Sequence, residues 1–270
     1  RAIDVSDPHA PVEVTSFTTP GRSGGLAVAG RYAYVAHDES GLLVFSIAPT
    51  VGVQLVAELP LPGNAWDVAI AGNVAYVACA GGGLQVVDVS TPVVPVHIGS
   101  FAPAGTIANG IVVDGDYAYL ADGVINGLRV LNVATPSAPA LLWSVSLKNP
   151  QSAAFAGAHL FVADEDSGLA VVEVRKPAAL WPRGAYNTPG NAQNVCVDGD
   201  YAFVADQASG LRIVDIRNLS APVSAGVCAV PGGGAIDVAV AGDYAYVATY
   251  SAGLQVIDVQ APSAPFVRGA

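Results

Sequence analysis

One sequence pattern of about 42 residues recurs six times along this chain, and it restricts the possible folds more than any other feature. Its clearest part reads Tyr-Ala-Tyr-Val-Ala, then a short polar gap, then Gly-Leu-x-Val-x-Asp-Val. The copies begin at Tyr32, Val74, Tyr117, His159, Tyr201 and Tyr244. The Gly-Leu pair follows at Gly41, Gly83, Gly127, Gly168, Gly210 and Gly253. A period of this length indicates a repeat architecture in which each unit packs on its neighbours.

Each repeat contains four strand signals separated by turns. Alternation with a period of two, together with β-branched and aromatic residues, favours strands, and no segment keeps a 3.6-residue period. Turn chemistry separates the signals, as at Gly242 and at the corner from Pro262 to Pro265. We therefore expect an all-β chain with almost no helix. In the last repeat the predicted strands are 235–240, 244–248, 254–259 and 265–268.

Four antiparallel strands, repeated six times, predict a β-propeller. Residues 21–270 make six complete four-stranded repeats, so we favour six blades in a single domain over residues 1–270. Residues 1–20 add only the third and fourth strands of a further repeat. Seven blades therefore stay open, with the missing strands supplied by another segment. An extra strand pair has unpaired edges, so we expect it to be covered or used in assembly.

The first strand of each repeat is predicted to be the inner one. One set of its positions is small or polar, which suits a crowded and wet channel: Gly25, Asp67, Gly110, Ser152, Asn194 and Asp237. The residues that follow them are mostly larger, which suits packing between blades: Leu26, Val68, Ile111, Ala153, Val195 and Val238.

The third strands resemble the LVIVD repeat family of predicted propellers. The best copies are residues 84–89, 211–216 and 254–259, and looser copies are residues 42–47, 128–133 and 169–174. The tryptophan–aspartate repeat fits less well because its Gly-His and Trp-Asp dipeptides are missing from the expected places. The resemblance spans nearly the whole chain and implies bacterial or archaeal proteins, often exported or displayed at the cell surface. It supplies no catalytic motif.

Composition excludes several classes of partner. Hydrophobic residues make up 52% of the chain and charged residues 12%, which argues against disorder. The net charge is −11, with only two lysines, so we expect no nucleic-acid partner. No apolar run approaches the roughly 18 residues that span a bilayer, so we expect no direct membrane insertion.

Two further features bear on where the protein works. Met is absent, position 1 included, so we expect a processed or trimmed chain whose signal peptide would lie upstream, which is consistent with export. Cys79, Cys196 and Cys228 have no disulfide or metal-site spacing, so we expect small buried side chains. We predict an extracellular or cell-surface location, with the periplasm as an alternative.

In a propeller, the loops before the first strand share one face with the loops between the second and third strands. A set of amide, acidic and aromatic residues lies in or next to these loops, and we predict a ligand site from Trp66, Asp67, Asn109, Gln151, Gln193, Asn194 and Asp237. Amides beside a Trp suit sugars or peptides. Solvated turns would also place polar residues here.

Acidic residues suggest two other roles. Asp164, Glu165 and Asp166 form the densest acidic run and could hold Ca²⁺, although they lack the spacing of an EF-hand loop. A second set recurs at the end of the third strand, which predicts turn capping before the proline corner: Asp4, Asp88, Glu173, Asp215 and Asp258. His37 is the one histidine on the loop face, and we expect it to be solvated.

No nucleophile elbow, phosphate-cradling loop or metalloprotease motif is present in the sequence. We therefore predict a non-catalytic interaction or structural scaffold that binds protein or associates with itself, with glycan as another partner. The alternative is an enzyme or ligand-binding propeller with a shallow acidic site that uses a divalent cation.

Overall fold

The computed structural model describes residues 1–19, 21–48, 52–175 and 179–270. Six four-stranded antiparallel sheets follow one another as the blades of a β-propeller, and a two-stranded sheet precedes them. A single helix, α1 (Gly123–Asn126), occurs in the described residues. The predictions of an all-β fold, six blades and an extra N-terminal strand pair are confirmed. Residue 20, the last of that predicted pair, lies outside the described residues.

The chain divides into two compact units. Unit 1 contains residues 1–2 and 13–146, and unit 2 contains residues 3–12 and 147–270. Blades 1–3 lie in unit 1 and blades 4–6 in unit 2. The prediction of one domain over residues 1–270 stays a prediction.

The first fourteen strands form the N-terminal pair and blades 1 to 3. The pair is β1 (Ala2–Asp4) and β2 (Val12–Thr15). The strands of blades 1 to 3 are β3 (Ser23–Ala29), β4 (Tyr32–His37), β5 (Gly41–Ser46), β6 (Gln54–Leu59), β7 (Asn64–Ala71), β8 (Val74–Ala80), β9 (Gly83–Asp88), β10 (Val96–Phe101), β11 (Gly110–Asp114), β12 (Tyr117–Ala121), β13 (Leu128–Asn132) and β14 (Ala140–Val145).

The blades of unit 2 repeat the same order. Their strands are β15 (Ser152–Ala156), β16 (His159–Ala163), β17 (Leu169–Arg175), β18 (Ala179–Tyr186), β19 (Asn194–Asp198), β20 (Tyr201–Ala205), β21 (Leu211–Asp215), β22 (Val223–Cys228), β23 (Ala235–Ala241), β24 (Tyr244–Thr249), β25 (Leu254–Asp258) and β26 (Phe266–Gly269). The four strands predicted for the last repeat are confirmed.

Each blade is a meander whose turns follow from its glycines. The first hairpin turns tightly at a left-handed glycine, as at Gly242 with φ of 58°. The fourth strand carries a bulge, as where the pairing of β21 with β22 shifts between Ile213 and Val214. The bulge increases the local twist of the outer strand.

The core lies between successive blades. In unit 1, Tyr34 and Val44 of blade 1 pack with Val68 and Val77 of blade 2 in one buried cluster. Equivalent clusters join blades 2 and 3, 4 and 5, and 5 and 6. Each sheet is therefore stabilised by the aliphatic side chains of its neighbour.

Burial on the first strand mostly follows the predicted alternation. Val68, Ile111, Val195 and Val238 are buried, as expected. The prediction is wrong for Leu26, which is 64% exposed. Val68 is buried because it packs against blade 1. No first strand packs against the equivalent Leu26 among the described residues, so Leu26 stays exposed.

Three contacts recur between successive blades within a unit. First, each first strand lies beside the first strand of the next blade, as expected for inner strands: β7 lies beside β3 and β11, and β19 beside β15 and β23. Second, a short backbone bridge joins the loop between the second and third strands to the loop before the next first strand. These bridges are Asp38 to Ala65, Ala80 to Ile107, Glu165 to Ala192 and Gln207 to Ala235.

The third contact lies at the outer strand, where a glycine packs against the next proline corner. A Cβ added to Gly226 would lie 1.9 Å from the carbonyl oxygen of Pro262. Gly99 meets Pro136 and Gly184 meets Leu219 in the same way. These positions require glycine because the neighbouring backbone occupies the space of a side chain.

Candidate functional site

Three buried aspartates directly follow the second strands of blades 3, 4 and 5. Asp206 accepts hydrogen bonds from the Thr188 hydroxyl at 2.5 Å and the Gly190 backbone N–H at 2.9 Å. Asp164 accepts from the backbone N–H groups of Lys148 and Asn149 at 3.1 and 2.7 Å.

Asp122 makes the corresponding contact in blade 3, accepting from the Ile107 N–H at 2.6 Å. In each blade the carboxylate therefore holds the loop before the first strand. Desolvation raises the pKa values of Asp122 and Asp206, and the backbone hydrogen bonds oppose that rise.

In blades 3 and 5 the third strand supplies an arginine next to this carboxylate. Arg129 forms an ion pair with Asp122 at 2.9 Å, and Arg212 lies 3.7 Å from Asp206. Where Cys79 or Thr249 occupies the position of the aspartate, the third strand carries glutamine. Gln85 and Gln255 donate to the carbonyl oxygens of Gly82 and Ala252. In these four blades the third strand carries an arginine where the second strand is followed by an aspartate and a glutamine where it is not. Blade 4 differs, because Ala170 occupies the arginine position beside Asp164.

His37 occupies the position of these aspartates in blade 1. Its side chain is buried, so the expectation of a solvated histidine is wrong. Because it ends a second strand whose next residue is bridged to blade 2, it lies under the loop and not on its surface.

Unit 1 contains three of the predicted ligand residues. The Trp66 ring lies under the Arg22 guanidinium, 5.2 Å from Cζ to the ring centroid. Asp67 accepts from its neighbour Val68 N–H and, across the blade boundary, from the Ile111 N–H at 2.9 Å. Asn109 is half-buried, and its backbone N–H donates to Ala121. Of these three residues, Asp67 supports the backbone of the adjacent blade.

Unit 2 contains the other four. Gln151 donates through its amide to the Asn149 carbonyl at 3.1 Å, and Gln193 points toward the Asn191 carbonyl at 3.5 Å. Both side chains thus turn back to their own loops. The unit does not direct these two amides toward a common point.

Asn194 and Asp237 lie on adjacent inner strands of unit 2. The Asn194 amide donates to the Ser152 hydroxyl at 3.2 Å. One oxygen of Asp237 accepts from the Val238 N–H at 2.8 Å. The Asp237 side chain reaches solvent, but surrounding protein removes enough water to raise the pKa of its carboxyl group. Ser152, Asn194 and Asp237 therefore form a short polar row, which is the arrangement in unit 2 best suited to a small polar ligand.

The three carboxylates in the acidic loop of blade 4 have different environments. Asp164 is buried and holds the preceding loop, Glu165 accepts from the Asn149 amide, and Asp166 is exposed. Glu165 adopts a left-handed backbone with φ of 39°. Across the described part of the chain, no three His, Cys, Asp or Glu side chains are grouped to hold a metal ion. The prediction of a Ca²⁺ site at Asp164, Glu165 and Asp166 stays a prediction.

The acids at the ends of the third strands cap turns, as predicted for Asp4, Asp88, Asp215 and Asp258. Each accepts a hydrogen bond from the backbone N–H two residues later, at 2.8 to 3.1 Å. The side-chain and backbone bonds of Arg217 lower the pKa of Asp215 to about 2. The prediction that these acids are structural is confirmed for those four residues.

Sequence reasoning missed the aspartate contacts described above. The available signal was the recurrence of Asp122, Asp164 and Asp206 at one repeat position, with arginine at a fixed later position in two of the three repeats. Recurrence at equivalent positions indicates a role in every blade, whereas a ligand site needs residues that differ around the face.

Comparisons with solved structures agree with the fold. A Bacteroides uniformis protein provisionally named a 6-phosphogluconolactonase is 16% identical, with a TM-score of 0.78 over 92% of this chain and 84% of its own. The periplasmic gluconolactonase PpgL of Pseudomonas aeruginosa is 14% identical, with a TM-score of 0.76 over 89% and 82%.

A third similar structure is the β-propeller domain of Cps50 (Swd1) from Myceliophteria thermophila. It is 13% identical, with a TM-score of 0.69 over 84% of this chain and 80% of its own. Proteins with such different names share this fold, so the likeness describes architecture alone. No curated protein matches the chain in sequence. Among the described residues, no helix is long and apolar enough to cross a membrane.

The family model of the LVIVD repeat matches the chain seven times. The matches cover residues 2–19, 20–47, 62–102, 105–146, 150–188, 189–230 and 232–270. The first match falls on the N-terminal strand pair and the other six on the blades. With most of its length matched, the chain belongs to the LVIVD repeat family.

Proposed function

We propose that this protein is a non-catalytic interaction module that associates with another copy of itself through an outer strand. The observation that carries this proposal is β14 of blade 3, whose Leu141, Leu142 and Trp143 are 46%, 42% and 49% exposed. β14 is the last strand of its sheet, so its outer backbone groups have no strand partner among the described residues.

The composition of β14 supports pairing. Outer strands are usually protected by charged residues or Pro. β6, β10 and β26 contain Glu58, His97 and Arg268 respectively, whereas β14 reads Ala-Leu-Leu-Trp-Ser-Val without charge or Pro. β22 also lacks charge and Pro, but it has Gly226 at the register of Trp143. At the register of Trp143, blades 2, 4, 5 and 6 have glycine. A tryptophan there adds apolar surface that the repeat pattern does not require.

Sedimentation velocity over a hundredfold concentration range tests this proposal. The wild-type chain should show a concentration-dependent dimer, and Trp143→Gly should shift the equilibrium to monomer while keeping the melting temperature close to wild type. Val223→Gly, on the outer strand of blade 5, is the control and should dimerise normally. A wild-type chain that stays monomeric throughout, or a Trp143→Gly variant that dimerises equally well, would refute self-association through β14.

The second candidate is a small-molecule site, favoured by the row of Ser152, Asn194 and Asp237 and by similar structures named as gluconolactonases. Lactone hydrolysis by such a site would use the Asp237 carboxyl group as a general base or acid. Proton release from glucono-δ-lactone, measured at constant pH, distinguishes the candidates. The interaction module should release protons at the spontaneous rate, and acceleration that Asp237→Asn abolishes would establish the enzyme instead.

We also propose that the protein works at the cell surface, with the periplasm as the alternative. The family to which the chain belongs supports this location. Protease treatment of intact cells that contain the natural protein should degrade it if it lies at the surface. Protection in intact cells, followed by release on osmotic shock, would place it in the periplasm, and retention with the cytosol would refute both.

A further inference from the structure

One face of blade 6 packs on blade 5. On the other face, the N-terminal segment contacts the outer strand β26. In unit 2, a Cβ added to Gly269 would lie 2.5 Å from the carbonyl oxygen of Pro8 and 3.1 Å from that of His9. The N-terminal corner therefore packs on blade 6 as Pro262 packs on Gly226. Residues 3–12 thus occupy the place of the outer half of a following blade.

At other blade boundaries the next blade makes two contacts near the inner strand, a backbone bridge and a hydrogen bond to an aspartate. Neither contact has a counterpart at the open face of blade 6 among the described residues. Tyr250 occupies the position of Glu165 and Gln207 and is 54% exposed. Its backbone N–H donates to Gly234 of its own blade, and among the described residues it forms no bridge to a following blade. The second carboxylate oxygen of Asp67 accepts a hydrogen bond from the Ile111 N–H on the first strand of the next blade. At the equivalent Asp237, one oxygen accepts from the Val238 N–H, and the other accepts from no described residue.

The open area continues along the inner strand of blade 6. Ala239 is exposed, whereas Ala154 and Cys196, at the same position in blades 4 and 5, are half-buried against the next blade. Ala241 is exposed as well. The uncovered surface therefore has the length of a first strand.

Among the described residues, the strand β1 has no strand partner on the edge where a second strand would pair in a complete blade. In all six blades the third strand pairs with a second strand on one side and a fourth strand on the other. β1 matches a third strand and pairs with β2 alone. Backbone groups along Ile3 and Asp4 are thus available for a strand partner.

Unit 1, taken by itself, has a comparable gap on blade 1. Phe17 packs against Phe45 of the third strand at 5.3 Å between ring centroids. On the first strand of the same blade, Leu26 and Val28 are exposed. Here too the N-terminal segment contacts a later strand of the blade and leaves the first strand exposed.

We propose that the open face of blade 6, together with the free side of β1, is a docking site for a β-hairpin of another polypeptide that carries the residue pattern of this repeat's first two strands. The repeat itself defines the fit, since four blade boundaries within the units show what covers this surface elsewhere. The hairpin's first strand donates a backbone N–H to Asp237, and the residue at the start of that strand donates to the Tyr250 carbonyl, as Ala235 donates to Gln207. Its second strand pairs antiparallel with β1, with a tyrosine opposite Asp4 as Tyr244 lies opposite Asp258.

A peptide with the sequence of residues 234–249, labelled at one end, is the probe for fluorescence anisotropy with the full chain. Binding should saturate at one peptide per chain. The same peptide with V238P and V247P should not bind, because proline removes the N–H groups and the extended pairing that the hairpin needs. Ala239→Lys should weaken binding by roughly tenfold or more, since it buries an unpaired charge under the peptide.

Ala261→Lys, an equally exposed position on the corner of blade 6, is the matched control and should bind like wild type. Both variants should melt together with wild type, which shows that the face and not the fold has changed. Absence of saturable binding, or equal binding by Ala239→Lys, would overturn the proposal. A further experiment compares hydrogen exchange of β1 with the hairpin added as a free peptide and with the hairpin fused to Arg1. Protection of β1 in the fusion alone would also overturn the proposal, because the surface would then bind a strand pair of the same chain.

Discussion

Replacing Asp206 with Ala tests whether the acids of the loop face are structural. Asp206 is fully buried and accepts from the Thr188 hydroxyl and the Gly190 N–H, with Arg212 at 3.7 Å. Hydrogen bonds to a buried carboxylate contribute about 1.5–3 kcal/mol each, and removing one member of a buried ion pair costs about 3–5 kcal/mol. The contributions overlap, so we expect Asp206→Ala to lower the free energy of unfolding by about 3–5 kcal/mol.

Urea unfolding followed by circular dichroism measures this change, provided that the m-value stays constant. The corresponding loss in melting temperature is roughly 6–20 °C for a chain of this size. Asp206→Asn keeps one acceptor oxygen and should lose about half as much. Asp166→Ala, on an exposed residue of the neighbouring blade, is the control and should stay within about 0.5 kcal/mol of wild type. If Asp206→Ala cost less than about 1 kcal/mol, the carboxylate would not be holding the loop.

Three further outcomes follow from the structure. Gly226→Ala should destabilise the protein by about 1–3 kcal/mol in thermal unfolding, because its Cβ would collide with the backbone at Pro262; an unchanged melting temperature would show that the corner shifts freely. Arg217→Ala should raise the pKa of Asp215 from about 2 toward 3.8 in an NMR titration. Because the pKa of Asp215 is lowered in the folded state, the stability it contributes is present above pH 4 and is lost as the pH falls toward 2 in wild type, so the variant should lose that part of its acid dependence; no shift would contradict the assigned cause. The Cys79 thiol is buried and its pKa is raised to about 12, so it should react with a thiol reagent only after denaturation; reaction in the native state at the rate of the unfolded chain would contradict its burial.

The candidate site was predictable only in part. Trp66, Asp67, Asn194 and Asp237 do lie at the inner strands and the loops beside them, because strand register places every second residue on one side. Their hydrogen-bond partners come from residues up to 44 positions away, as between Asp67 and Ile111. A pattern confined to one repeat cannot show which oxygen is already used by the next blade.

The sequence by itself determined the repeat, the four strands of each blade and the turns between them. These depend on local chemistry: alternating side chains within a strand, glycine at positive φ as at Gly242, and a capping acid as at Asp258. Only the tertiary structure decided which faces are covered. Leu26 and Val68 occupy equivalent positions, yet one is exposed and the other buried. The difference arises because burial on the face of a blade depends on the sheet that packs against it, and no residue of the blade itself encodes that neighbour.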